Sequence, residues 1–578
     1  MKKIFLYSAA MALVSAVSVG CIGDLDTMPL DETQMTADRT FTTPESYAQY
    51  VSYAYGYFGL VSQYDAGSSD IAVANAGQSE FLRQYMILNE LSAGSLYCCW
   101  NDDYVLSLQF GSWNTENTAA YAVYVRGMKA ITLCNQFLDN SISGDAAVQG
   151  RGHGEMLEEI HHFRSEMRTL RAFYYLVLLD LFGNPPLALP EHIATTPYPK
   201  QLGRAGLFEW LEKELRDLTE DPNLPATPIA YPRLSKGAAW AMLARLYLNA
   251  EVYTGTARWE DAKTAAEKVI NEGGYELCPV YTNLFRQDNT ESGAVSEFIV
   301  AMEYDCTHTQ SWGGTTHLVY SVVDNKTVTG EESEDPDAFT MRQDISEKYG
   351  HPGMDIYKSQ WNGYHLSDDF VMENFELQDV SWDSSSDFGY NREKSDKRAA
   401  FYNIGFSPVL VTGPSTGLNI RTGWTTLKWL PLTSDGTPLL VNADQECSSA
   451  DFPLIRLAEM NLIAAEAEAR LNGGTLGNST QGWKYLEELY KRGNGADAAI
   501  PVSVDLEWIL KERTRELMWE GHRRTDLIRY GKFTGSAYTW PYKGGIATGG
   551  SIDEFRKVFP IPIQEFAANP SLVQNDRY

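Results

Sequence analysis

Residues 235–277, SKGAAWAMLARLYLNAEVYTGTARWEDAKTAAEKVINEGGYEL, carry the pattern that most restricts what this chain can fold into. Ala238, Ala241 and Ala244 recur at three-residue steps, and Leu243, Leu246 and Tyr247 fill the adjoining face. A second run follows with Trp259, Ala262, Ala265, Ala266 and Val269. Small residues let two helices cross closely, and apolar residues three and four apart form one buried stripe. This is the pattern of a tetratricopeptide-type hairpin, a unit that buries its apolar face only against neighbouring units. More helices must therefore stack beside it.

Such helices are legible on both sides. In EMRTLRAFYYLVLLDLFG the stripe runs through Met167, Leu170, Tyr174, Val177, Leu178 and Leu181, then stops at Gly183 with Pro185 and Pro186 beyond. LIRLAEMNLIAAEAEARLNGG predicts a helix starting at Leu454 and ending at Gly473–Gly474, and a further pair is predicted around Trp483–Arg492 and Leu506–Tyr530. Between them the composition turns to Gly, Ser, Thr, Asp and Trp, with β-type runs at 297–304 (EFIVAMEY) and 316–323 (THLVYSVV). The expected fold is dominated by α-helix. Helical hairpins form a frame at 40–275 and 451–535, a loop-rich insertion at about 276–450 carries short β-hairpins, and a tail covers 536–578. Binding residues tend to sit on loops held by a rigid scaffold, so the insertion is the expected ligand-binding part.

The N-terminus predicts export. Lys2 and Lys3 precede an apolar stretch at residues 4–19, and Gly20 supplies the small residue before a cut, so 1–20 reads as a signal peptide. Cys21 directly after Gly20 fits a lipobox, although Ser18 stands where Leu is usual. A lipidated Cys21 would anchor the chain, since each buried CH2 contributes roughly 0.8 kcal/mol. No later stretch reaches 18 apolar residues, so no spanning helix is expected.

A formal net charge of −29 argues against nucleic acid and against a basic patch on anionic lipid, because both need clustered Lys and Arg. The cysteines other than Cys21 (Cys98, Cys99, Cys134, Cys278, Cys306 and Cys447) show no zinc-ligand spacing and are too sparse for a disulfide framework, so buried free thiols are expected. His161 and His162 with Glu158 read as a solvated helix face. The charges of 512–533 (ERTRELMWEGHRRTDLIRYGKF) read as a salt-bridged helix face instead of an active site. The many loop Asp and Asn leave Ca2+ open, but no EF-hand spacing supports it, and no cofactor is expected.

Five segments, in order along the chain, resemble one family. They are DLDTMP (24–29) with TFTTPESY (40–47), RAFYYLVLLDLFGNPPL from Arg171, the hairpin at 235–277, the charged segment 512–533, and the tail VFPIPIQEFAANPSLVQN (558–575). Together they resemble SusD/RagB-type outer-membrane lipoproteins of Bacteroidetes, in their starch-binding branch. The resemblance implies a single domain over 21–578 with tetratricopeptide-like units, lipid-anchored and exposed on the outer membrane. It implies a non-enzymatic protein that binds oligo- or polysaccharide, a neutral glycan such as α-glucan, and delivers it to a SusC-like TonB-dependent transporter.

Several aromatics lie beside Gly and polar residues in loops: Trp100 in CCWNDDY, Tyr304 and Trp312 in EYDCTHTQSWGGTTH, and Trp361 and Tyr364 in QWNGYH. These loops are similar to glycan-contacting loops of that branch. Trp100, Tyr304 and Trp361 are therefore expected to stack on sugar rings, with Trp312 as a further glycan-binding residue. Asn101, Asp70 and Arg83 are expected as hydroxyl partners, and Trp113, Trp382, Trp424 and Trp429 as core or rim. Two other classes remain open. A surface glycoside hydrolase would need two carboxylates about 5–10 Å apart, yet no G-x-S-x-G, HExxH or P-loop motif occurs. The alternative is a scaffold that binds peptide or glycoprotein within the same transporter complex.

Overall fold

The computed structural model describes residues 40–41, 43–62, 64–142, 157–192, 198–322, 361, 363–375, 381–382, 390–391, 396, 398–402, 423–437 and 447–578. The expected signal peptide, Cys21 and the segment 24–29 lie outside the described residues, as does the side chain of Trp382.

Helices form the frame. In chain order they include α1 (Pro44–Gly56), α2 (Phe81–Met86), α3 (Thr118–Ile142), α4 (Leu157–Phe182), α5 (Gly203–Glu220), α6 (Lys236–Leu248), α7 (Trp259–Glu272) and α8 (Gly314–Tyr320). Four more follow: α9 (Leu457–Leu471), α10 (Gln481–Asn494), α11 (Leu506–Leu517) and α12 (Arg523–Arg529). Helix α3 packs on α4, α4 on α5, α5 on α6 and α6 on α7. The next neighbour of α7 is α9, and α9 in turn carries α10 and α11. Residues 273–456 therefore leave the stack and return to it without breaking it. The small residues explain the α7–α9 step: Ala262, Ala265 and Ala266 of α7 share one buried core with Ala464 and Ala467 of α9. On the other side of α9, Gly482 of α10 comes so close that a Cβ there would lie 2.9 Å from the Cα of Ala465. Among the described residues no helix is long and apolar enough to cross a membrane.

The strands are short and pair segments far apart in sequence. We label four: β1 (Tyr97–Cys98), β2 (Phe298–Met302), β3 (Tyr364–His365) and β4 (Phe452–Arg456). β1 pairs antiparallel with β3, and β2 with β4. Two expectations fail here. Residues 316–322 of the expected strand do not form one: Gly314–Tyr320 form α8, every residue of it buried, so tertiary packing overrides the β-branched composition. Nor does the helix expected from Leu454 start there, because Leu454–Arg456 belong to β4 and the helix begins at Leu457.

The charged segment 512–533 is salt-bridged as expected, but not along one exposed helix face. It is broken at Met518–His522 into α11 and α12, and its charges face inward. Glu516 pairs with Arg398 at 2.9 Å, with Arg456 at 2.5 Å and with Arg492. Arg456 also meets Glu297 at 2.8 Å and Glu520 at 2.7 Å, and Lys428 reaches Glu520 at 2.6 Å. Arg398 continues to Asp396 and Glu512, and Arg515 joins the latter at 2.9 Å. Five acids (Glu297, Asp396, Glu512, Glu516, Glu520) thus meet five bases (Arg398, Lys428, Arg456, Arg492, Arg515), all with buried side chains. Such a group is stable only while its charges balance, since taking one ion out of water costs several kcal/mol.

Burial works to raise the Glu516 carboxyl, but Arg492, Arg456 and Arg398 outweigh it and hold the group well below the usual carboxylate range. A depressed folded-state pKa contributes stability that is present above the unfolded value, near 4.3, and lost as the pH falls towards the folded one. Glu516→Gln is expected to lower unfolding free energy in urea by about 3–5 kcal/mol at neutral pH. The difference between variant and wild type should shrink as the buffer is taken below about pH 4. A loss under about 1 kcal/mol would mean that the network is dispensable.

Candidate glycan-binding arc

Three separated loops are brought together by the β1–β3 ladder and by α8. Tyr97 lies opposite His365 and Cys98 opposite Tyr364, and the Cys99 amide donates to the Gly363 carbonyl at 2.8 Å. The chain just after β1, with Trp100, therefore runs beside the chain just before β3, with Trp361. Gly363 permits this, because a Cβ there would stand 2.7 Å from the Trp100 ring. The Trp361 amide donates to the Tyr320 carbonyl and that of Gly363 to Ser321, fastening the same segment to the end of α8. Trp312 precedes α8 by one residue, Gly313.

The result is an arc of tryptophans. The Trp100 indole N–H donates to the Trp361 carbonyl at 3.0 Å, and the Trp312 and Trp361 rings lie 6.2 Å apart. Trp312 is the most open of the three at 40 % exposure, while Trp100 and Trp361 are half-buried. Arg83, on α2, places its guanidinium over the Trp100 ring at 5.4 Å and donates from Nη1 to the Trp312 carbonyl at 3.0 Å. Asn101, next to Trp100, is exposed. Sugar faces stack on aromatic rings while hydroxyls take hydrogen bonds, so one face here carries both kinds of contact.

Behind the arc sits His317, buried on α8 within 5.2 Å of Tyr364 and about 6.2 Å of Trp361 and Trp519 by ring centroids. Burial, and then Arg83, pushes its pKa well below the usual value, so the ring is neutral. Trp519 occupies the break between α11 and α12 with φ +61, a backbone conformation unusual for a non-glycine residue. Its surroundings hold it there: Lys428 donates to the Met518 carbonyl at 2.6 Å, and the Gly521 amide donates to Glu90 at 2.8 Å.

Not every expected residue joins the arc. Tyr304 is only 4 % exposed; its hydroxyl donates to Glu80 at 2.9 Å, and its ring packs against Gly59 and Gly314. It has no open face for a sugar, so stacking by Tyr304 is withdrawn. Asp70 belongs to another group, accepting from Tyr57 and pairing with Arg126 at 2.6 Å and Lys129 at 3.3 Å. Trp113, Trp424 and Trp429 are core residues, each at most 5 % exposed. Sequence reasoning passed over Glu80 and His317. The first had a signal, an acid at the residue before the apolar run FLRQYM, which is a helix N-cap position. The second had none, because a buried histidine looks like any other in sequence.

A separate cavity of about 720 Å3 lies between α1 and the loops near 288, 305 and 435, with Tyr304 in its wall. Its carboxylates brace those loops: Asp288 accepts from the Ser434 amide and hydroxyl, and Asp305 from the amides of Thr307 and His308. Burial pushes Asp451 up to about 7, in the range useful to an acid catalyst. Its two oxygens, however, hold the Tyr231 hydroxyl at 2.6 Å and the Tyr304 amide at 2.8 Å. Among the described residues no group of three or more His, Cys, Asp or Glu is arranged to hold a metal ion.

One cysteine expectation is overturned. Cys306 and Cys447 form a disulfide across 141 residues of sequence, while Cys98, Cys99, Cys134 and Cys278 are buried thiols. The sequence could not show it, because β2 and β4 bring these two chain segments together only in the fold.

The chain is 30 % identical to the starch-binding protein SusD of Bacteroides thetaiotaomicron, in an alignment covering 99 % of this chain and 98 % of that protein. It belongs to the SusD family. The SusD family model itself matches residues 296–578. SusD-like protein P25 of Formosa agariphila is 22 % identical over 78 % of this chain and 77 % of its own length. Two solved structures share the fold. Surface glycan-binding protein A from Bacteroides thetaiotaomicron, in complex with laminarihexaose, superposes with TM-score 0.61 at 18 % identity over 92 % of this chain and all of that one. A SusD homolog from Bacteroides thetaiotaomicron does so with TM-score 0.62 at 17 % identity, over 95 % of this chain and all of that one. For this SusD-family chain the loop that carries Trp312 is expected to be covalently clipped. Peptide mapping without reductant should recover Cys306 and Cys447 in one linked species, and the four buried thiols should react with a thiol reagent only after unfolding. Prompt labelling of Cys306 in the native protein would contradict this.

Proposed function

We propose that this chain captures a neutral glycan at the outer surface of the cell and passes it to a SusC-like TonB-dependent transporter, without cleaving it. The observation that carries the reading is the convergence of Trp100, Trp312 and Trp361 around Arg83, from four segments spread between residues 83 and 361. Trp312 and Trp361 would stack on sugar faces, Trp100 would form the inner wall, and Arg83 and Asn101 would meet hydroxyls. Tethering through a lipidated Cys21 would keep this arc at the membrane surface. The starch-binding relative favours an α-glucan, and the laminarihexaose-bound structure makes a β-glucan the natural comparison. The acidic chain, at −29, would repel anionic polysaccharide and leaves neutral polymers as the fitting class.

Affinity electrophoresis in gels containing amylopectin, laminarin, or neither tests the reading. Wild-type protein should be retarded by at least one polymer, and Trp100→Ala with Trp361→Ala should weaken retention by about ten-fold or more, the scale of losing one or two stacking contacts. Unchanged retention of that double variant would refute the arc as the site. Reducing ends that accumulate during incubation with the retained polymer would refute the non-enzymatic part.

A further inference from the structure

Resting on the glycan-binding reading, we infer that Glu80 is the positioning residue of the arc: its buried carboxylate locks the Trp312 loop to the helix that carries Arg83, so the glycan meets a surface already assembled. Glu80 is fully buried, and among the described residues no basic side chain forms an ion pair with it. What satisfies it instead comes from both parts of the site. As the N-cap of α2 it accepts from the Arg83 amide at 2.6 Å. From the other side it accepts the Tyr304 hydroxyl at 2.9 Å, and Gly313, the N-cap of α8, packs directly against it. One carboxylate therefore holds the start of α2, the start of α8 and the residue that leads into the loop between β2 and α8.

The glycines around it record how tightly these parts fit. A Cβ on Gly313 would stand 2.4 Å from the Glu80 Cβ. One on Gly314, at φ +56, would stand 2.3 Å from the Tyr304 ring. A Cβ on Gly77 would lie 2.5 Å from Arg83 Nη1 and 3.1 Å from the Trp312 Cβ. The W-G-G sequence after Ser311 is thus the shape required for Gly313 to dock over Glu80 and Trp312 over Gly77, and Arg83 then closes the contact on the Trp312 carbonyl. Tyr304, expected to stack on sugar, is the strut in this arrangement: its hydroxyl meets Glu80 while Asp451 holds its amide at 2.8 Å. Binding surfaces fixed before the ligand arrives avoid the ordering cost of forming them on contact.

Two variants separate this role from simple folding. Glu80→Asp keeps a good helix N-cap but is one methylene shorter, so it withdraws from Tyr304 and Gly313. Tyr304→Phe leaves Glu80 intact and removes one donor. Each is compared with wild type by hydrogen–deuterium exchange and by retention in amylopectin and laminarin gels. The expected result is exchange faster by about ten-fold or more in peptides from 305–316, unchanged exchange in 457–517, and glycan affinity weaker by about ten-fold. Unchanged exchange in 305–316 for both variants would overturn the inference. So would faster exchange across the whole chain, which would make Glu80 only a core residue, and so would full glycan affinity despite a loosened loop. If wild-type protein bound neither polymer, the functional reading would fail while the exchange data still judged whether Glu80 holds the loop.

Discussion

Glu516 meeting Arg398, Arg456 and Arg492 in the buried interior is the interaction on which the rest of this structure depends. Its partners come from three places. Arg456 ends β4, Arg492 lies on α10, and Arg398 belongs to the excursion that leaves the helical stack after α7. Helices α7 and α9 pack through their alanines without that excursion, and fixing the excursion to the frame in one orientation takes more than the apolar contacts it also makes. Balanced buried charge does it, and it does so directionally, because each guanidinium must meet its own carboxylates. The same group shapes the break between α11 and α12: Lys428 and Arg456 hold the carbonyls of Met518 and Glu516, and Trp519 is left pointing at the back of the aromatic arc.

The arc thus stands on two supports of different chemistry. Below it, the ion network sets Trp519, which meets His317 and Tyr364. Beside it, Glu80 joins α2 to α8, and the Cys306–Cys447 disulfide clips the intervening loop to the chain entering β4. On the chain-entropy view a cross-link over a loop this long contributes on the order of 4–5 kcal/mol, so the loop with Trp312 is held more firmly than its Gly- and Thr-rich sequence suggests. On the proposed function, both devices would serve a binding face offered outside the cell.

What was legible in the sequence was what repeats or alternates. The alanines of 235–277 and the stripe from Met167 to Leu181 gave their helices because helical spacing is a local property. Trp100, Trp312 and Trp361 stood out because each sits among Gly and polar residues, off any helical stripe. What failed depended on partners far away. Residues 316–320 read as strand until α8 was buried on all sides, and Tyr304 read as a platform until Glu80 and two glycines enclosed it. The salt bridging of 512–533 was legible, but a sequence does not show that Arg398, Lys428 and Arg456 arrive to neutralise its acids inside. Cysteine pairing failed for the same reason, being a product of the β2–β4 ladder.

The central claim is that the tryptophan arc, held ready by these supports, is where the glycan binds. A crystal structure of the protein soaked with an oligosaccharide of the polymer that retards it tests this most directly. The expected result is a sugar ring against Trp312 or Trp361, with Arg83 or Asn101 on its hydroxyls and the loop 305–314 unmoved from its free position. A sugar seated in the cavity walled by Tyr304 and Asp451, with the arc empty, would contradict it.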